Sequence, residues 1–151
     1  MAVYKVVTVP NEVLRTKAKE VTRINDGLLR LLENMKDTMY EFDGIGLAAP
    51  QIGVLKRVIV VDPGDNYMEL INPEIIYKEG EQTGREGCLS IPGVYGKVSR
   101  AKKVIVKALN RHNETITVEA EDLLARVLQH EIDHLDGILF IDKATEIIKE
   151  K

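Results

Sequence analysis

Between residues 25 and 41, apolar side chains fall at Leu28, Leu31, Leu32, Met35 and Met39. Steps of three and four place them on one face of a helix. The periodicity stops in a glycine-rich segment, Gly44-Ile45-Gly46-Leu47-Ala48-Ala49-Pro50-Gln51. Upstream, residues 11–20 support a shorter helix. The pattern then shifts to strands. Residues 57–62 carry Val-Ile-Val-Val, a short continuous run expected of a buried strand, and 69–72 and 75–78 form two more, separated by Pro73. Residues 104–109 and 115–119 flank Asn110-Arg111-His112-Asn113-Glu114, which reads as a hairpin turn. A second long helix covers 121–136, with acids in its first turn and Gly137 at its end. Helix, strands, helix without βαβ alternation argues for an α+β fold. We expect mixed or antiparallel sheets around the second helix, with the N-terminal helix packed alongside. No repeat or linker divides residues 1–151, so one domain is expected.

The second helix has three sectors at 100° per residue. Asp122, Ala125, Arg126, Gln129, Asp133 and Asp136 share one side, expected to face solvent. Leu124, Leu128, Ile132 and Leu135 form a core stripe. His130 and His134 lie on neither; they share a mostly apolar sector with Leu123 and Val127. Their segment, His130-Glu131-Ile132-Asp133-His134, is the pattern H-E-x-x-H. Imidazoles four residues apart stand one turn above each other and can grip one metal ion, with the Glu placed to activate water there. The alternative is a pair of half-buried histidines bonded to carbonyls or water.

Composition narrows the setting. With 44% apolar and 30% charged residues and a net charge of −3, the chain is an ordinary globular sequence. No run of one sign suggests broad binding to nucleic acid or a membrane surface. One cysteine, Cys88, excludes an intrachain disulfide and fits a reducing compartment. The start, Met1-Ala2-Val3-Tyr4-Lys5, lacks the apolar core of a signal peptide. A cytoplasmic location is the expectation, and a mature organellar protein would look the same.

Hydrolytic metal sites usually have three protein ligands and one open position. His112 is the remaining histidine, but it sits in the hairpin turn. Cys88 is better placed, in Arg85-Glu86-Gly87-Cys88-Leu89-Ser90-Ile91-Pro92, where Gly87 permits close backbone approach. On its own, a single Cys reads equally as a small buried hydrophobe.

Three segments together are more specific. Gly44-Ile45-Gly46-Leu47-Ala48-Ala49-Pro50-Gln51, Glu86-Gly87-Cys88-Leu89-Ser90 and Gln129-His130-Glu131-Ile132-Asp133-His134 resemble, in order, the three signature motifs of peptide deformylases. The likeness covers nearly the whole chain and is nearest to bacterial-type forms. One departure is the short stretch after Phe140, where bacterial relatives often carry a longer helix. The resemblance implies a hydrolase that removes the formyl group from N-formylmethionine of new polypeptides, releasing formate. It implies a metal held by Cys88, His130 and His134, iron(II) in the cell, with Zn²⁺, Ni²⁺ or Co²⁺ able to substitute. It assigns Glu131 as base, and the Gln51 amide and Leu89 N–H as donors to the formyl oxygen. Nascent formylated chains would be partners, possible ribosome contact included. Gly46 and its small neighbours suit pairing with an extended peptide, though the run also reads as a plain Gly/Pro turn. Ile45, Leu123 and Val127 are candidates for the methionine pocket, or for ordinary core. Asp133 and Arg100 read either as site-supporting charges or as solvated surface. Two rivals stand beside this reading: a zinc peptidase with Glu146 as third ligand, and a non-catalytic protein with a structural metal or none.

Overall fold

The computed structural model describes residues 3–150; Met1 and Ala2, on which the reading of the chain's start partly rests, and Lys151 lie outside them. Helix α1, Asp26–Glu41, begins where the Asn25 side chain accepts the Leu28 N–H at 3.0 Å. Eight strands follow it. They are β1 (Gly46–Ala48), β2 (Val58–Val61), β3 (Met68–Glu79), β4 (Gln82–Cys88), β5 (Ile91–Arg100), β6 (Lys103–Leu109), β7 (Thr115–Glu121) and, after helix α2 (Asp122–Leu135), β8 (Glu146–Lys149). One sheet has the order β1-β2-β3-β6-β7 and the other β4-β5-β8. Every named pairing is antiparallel, and the fold is α+β as expected.

β2 explains its own composition. Val58 and Val60 pack with the α1 residues Leu28, Leu32, Met35 and Met39. Ile59 and Val61 pack with Leu128, Ile132 and Leu135 of α2. All four strand residues are fully buried because a helix covers each face of the sheet. The N-terminal helix therefore packs alongside on one face, with α2 on the other. A third cluster, Leu14, Ile91, Val98, Leu139 and Phe140, joins the three-stranded sheet to the chain ends.

The structure corrects several local expectations. Residues 11–20 hold only a 3-10 turn, Glu12–Arg15, because the backbone beyond it is used elsewhere: Ala18 N–H donates to Leu135 O at 2.8 Å. The two strands around Pro73 are one, β3. Asn72, at φ 53°, and Pro73 make an irregularity in the pairing with β6, and the strand resumes at Glu74. β4, β5 and β8 had no alternating pattern to announce them. The expected solvent face of α2 fails at Ala125, Arg126 and Gln129, which are buried. Asp122 and Asp136 are exposed and Asp133 is half-buried. The cause is that α2 is also covered from the side of β5: Arg126 donates to Val98 O, and Gln129 bonds both the N–H and the O of Ala101. Among the described residues, no helix is long and apolar enough to cross a membrane.

The end of α2 closes tightly on the first turn. A Cβ on Gly137, whose φ is 74°, would stand 2.6 Å from Arg15 O. Gly137→Ala should therefore lower stability by about 1–3 kcal/mol through strain and displacement. Urea unfolding checks this, and an unchanged midpoint would contradict it.

Candidate active site and metal centre

α2 carries His130, Glu131 and His134, and β4 ends at Cys88, where a tight turn through Leu89 and Ser90 leads into β5. The two elements meet so that Cys88 Sγ and one ring nitrogen of each histidine lie within 4.8 Å of one another. Cys88 Sγ is 3.3 Å from His134 Nε2. An ion with tetrahedral bonds of ordinary zinc-site length would hold sulfur and nitrogen roughly 3.5 Å apart. A thiolate with two imidazoles is also a donor set that suits divalent transition metals. The residues fit such an ion.

Two of the three are held from behind, whereas His134 Nδ1 is buried with no hydrogen-bond partner among the described residues. His130 Nδ1 lies 3.0 Å from Glu86 Oε1, which leaves its other nitrogen for the cluster, and Phe140 stacks on the ring at 6.3 Å between centroids. The Gln51 side chain is only 1% exposed. Its oxygen accepts the Ala48 N–H at 2.9 Å, which turns its amide N–H groups toward Ser90 Oγ at 3.2 Å and Cys88 Sγ at 3.5 Å. The N-terminal segment ties both sides of this corner, with Val7 N–H on Gln51 O at 2.7 Å and Val9 N–H on Ser90 O at 3.0 Å.

Glu86 is the hub, which the sequence reading left without a role. This buried carboxylate accepts from Arg100 Nε at 2.6 Å and Nη2 at 2.9 Å, from Arg126, and faces His130. Burial pushes its carboxyl up, but the His130 and Arg100 bonds outweigh that and hold it at about 2. Arg100, 5% exposed, also bonds Asp133 at 2.9 Å, so both support the site and neither is free surface. Burial opposes charge on His130, yet contacts with Cys88 and Glu86 lift it to about 10. Burial and the His130 charge push His134 well below the usual range.

Glu131 differs from Glu86 in making no ion pair among the described residues, so the more distant charges of His130 and Arg100 only partly offset its burial. Burial raises its carboxyl to about 7, and its Oε1 has no hydrogen-bond partner among the described residues. A buried carboxylate oxygen without a donor, beside three side chains that could hold a metal, is placed to receive a proton from water. Glu131 is also why Gly46 is glycine: a Cβ there would sit 2.6 Å from Glu131 Oε2 and 2.9 Å from Cγ.

Above the cluster opens a cavity of about 600 Å³. Gln51, Cys88, Leu89, His130, Glu131 and Gly46 line it, as do Ile45, Leu123 and Val127, while His134 is buried beneath. Ile45 and Leu123 are 44% and 48% exposed, so neither is core. Arg85 and Tyr95, which the sequence reading did not single out, also line the cavity; their partnership spans two strands. The alternative ligands are elsewhere: His112 is exposed in its turn, and Glu146 is exposed on β8, paired with Lys97 of β5. Cys88, His130 and His134 are the sole group of this kind among the described residues, which leaves the zinc-peptidase reading without its third ligand.

A model of the polypeptide deformylase family matches residues 3–150. The chain belongs to the polypeptide deformylase family. Such enzymes are metal-dependent hydrolases that act on the N-formylmethionine of new polypeptides. A peptide deformylase of Syntrophomonas wolfei is 64% identical over 151 residues, covering 100% of this chain and 99% of that one. One from Carboxydothermus hydrogenoformans is 59% identical, covering 99% of each. The crystal structure of a peptide deformylase from Thermotoga maritima superposes with a TM-score of 0.93 at 41% identity, covering 95% of this chain and 99% of that one.

Glu86→Gln would leave Arg100 and Arg126 buried against a neutral partner. We expect the loaded deformylase to lose about 3–5 kcal/mol of stability, and about 10–100-fold in metal affinity as His130 loosens. Urea unfolding and competitive metal titration read the two effects; a wild-type midpoint would contradict the role of the hub.

Proposed function

We propose that this chain, as one catalytic domain spanning residues 1–151, hydrolyses the formyl group from N-formylmethionyl peptides with a divalent metal held by Cys88, His130 and His134. The observation that carries the reading is the convergence of those three ligand atoms beneath a cavity into which Glu131 and Gln51 open.

A divalent ion in that position would lower the pKa of a coordinated water to about 7 and polarise the formyl group. The chain's own residues supply the rest. Glu131 takes the proton of the attacking water at its unpartnered oxygen and returns it to the methionine amine as the C–N bond breaks, leaving formate. Burial, which raises the Glu131 carboxyl, favours its holding the proton between those two halves of the transfer. Gln51, whose amide orientation is set by Ala48, and the Leu89 backbone N–H donate to the formyl oxygen as charge builds there; each such donor contributes about 10²–10³ in rate. The Gly46 backbone pairs with the peptide. Ile45, Leu123 and Val127 receive the methionine side chain, which accounts for two large apolar residues left half-exposed at one rim.

Iron(II) is the metal we assign for the cell, with Zn²⁺, Ni²⁺ or Co²⁺ as substitutes. The setting is the bacterial-type cytoplasm, where the substrates emerge from the ribosome. The short stretch after Phe140 ends in a strand, β8, paired to β5; the ribosome is among the partners of this proposal, with no segment of the chain assigned to that contact.

Glu131→Gln should keep metal while formate release from a formyl-Met peptide falls by at least about 10². A wild-type rate in that variant, with metal bound, would show that the proton goes elsewhere.

A further inference from the structure

The rim of the cavity holds a cation that the chemistry above does not use. Arg85 lines the cavity, and its side chain is 60% exposed. Its guanidinium stacks on the Tyr95 ring, 4.3 Å from the centroid. Tyr95 is held flat by the strand beneath it: Gly87 is its partner across β4 and β5, and a Cβ on Gly87 would meet the ring at 2.8 Å. The stack Gly87-Tyr95-Arg85 fixes the plane of a fork that has five donors. One of them is used among the described residues, in an ion pair with Glu150 at 3.2 Å, and that partner is itself 57% exposed. Exposed pairs of this kind exchange readily with other anions. Lys97, exposed and directly opposite Arg85 in the strand pairing, adds a second positive charge, and Glu146 faces Lys97 in turn. Asp43 also lines the cavity.

The position along β4 says what meets this fork. Arg85 is three residues before Cys88, roughly 10 Å at strand rise. An extended peptide with its formyl group at the metal ligands covers that distance in about three residues. Resting on the deformylase reading, we propose that Arg85 is a specificity-determining residue. Held on Tyr95, it favours formylated peptides with a carboxylate side chain at the second or third residue, which replaces Glu150 on the guanidinium.

The test compares kcat/KM at low ionic strength for formyl-Met-Ala-Ser with peptides carrying Glu or Lys in place of Ala or of Ser. The metal-loaded wild-type protein should prefer Glu over Lys by about five-fold at one of these positions. The preference should shrink in 1 M salt, where the Debye length is about 3 Å. Arg85→Glu should reverse the order, Arg85→Lys should keep its direction, and Glu150→Gln should widen the wild-type preference. Equal rates for Glu and Lys peptides in the wild type, or an unchanged order in Arg85→Glu, would overturn the proposal while leaving deformylation intact. Absence of formate from the neutral peptide would instead overturn the reading on which the proposal rests.

Discussion

One buried carboxylate, Glu86, organises the interior around the site. It lies between β5 and α2, and three partners meet on it: Arg100, Arg126 and His130. Two arginines buried between a helix and a sheet could not remain there without an anion, since uncompensated charge in a low-dielectric interior is far costlier than any packing gain. Asp133 takes the second carboxylate position on Arg100, and Lys143 bonds Asp133 from outside at 3.0 Å. The network joins β4, β5, α2 and the segment after it. Because His130 is one of its members, the ligand ring inherits the rigidity of the whole. The same carboxylate that satisfies two cations fixes which ring nitrogen faces the cluster.

The contrast between the two glutamates follows from their neighbours. Glu86 is held ionised by cations and stays acidic; Glu131, equally buried, is left with an unpartnered oxygen and rises towards neutrality. One is fixed as scaffold, and the other has the environment that the proposed proton transfer requires. Small residues complete the division. Gly46 lets β1 close on Glu131, and Gly87 lets Tyr95 lie on β4. Two backbone bonds from the N-terminal segment hold the Gln51 and Ser90 corner beside Cys88. The reactive groups thus sit on strands, a helix and one short tied turn.

Much of this was legible in the residues. The apolar spacing of Leu28 through Met39 and the pattern His130 to His134 each named a helix, and the run at Val58–Val61 named a strand buried on both faces. The three motifs pointed to Cys88, His130 and His134, whose donor atoms lie within 4.8 Å of one another although Cys88 is 42 residues from His130. What was hidden shares one cause. Arg126 and Gln129 look like surface on a helical wheel because their partners, Glu86, Val98 and Ala101, are remote in sequence. β4 and β5 lack alternation because their faces meet glycines, a helix and a cavity rather than core and water. The bend at Asn72 and Pro73 looks like a strand end until the pairing with β6 is seen to resume beyond it.

The central claim is that a sulfur from β4 and two ring nitrogens from α2 bind one metal. X-ray absorption spectroscopy of the anaerobically prepared, metal-loaded protein measures this directly. We expect one sulfur and two imidazole nitrogens around each ion, with the sulfur scatterer lost in Cys88→Ser. A coordination shell without sulfur, or without imidazole, in the wild-type protein would contradict the account.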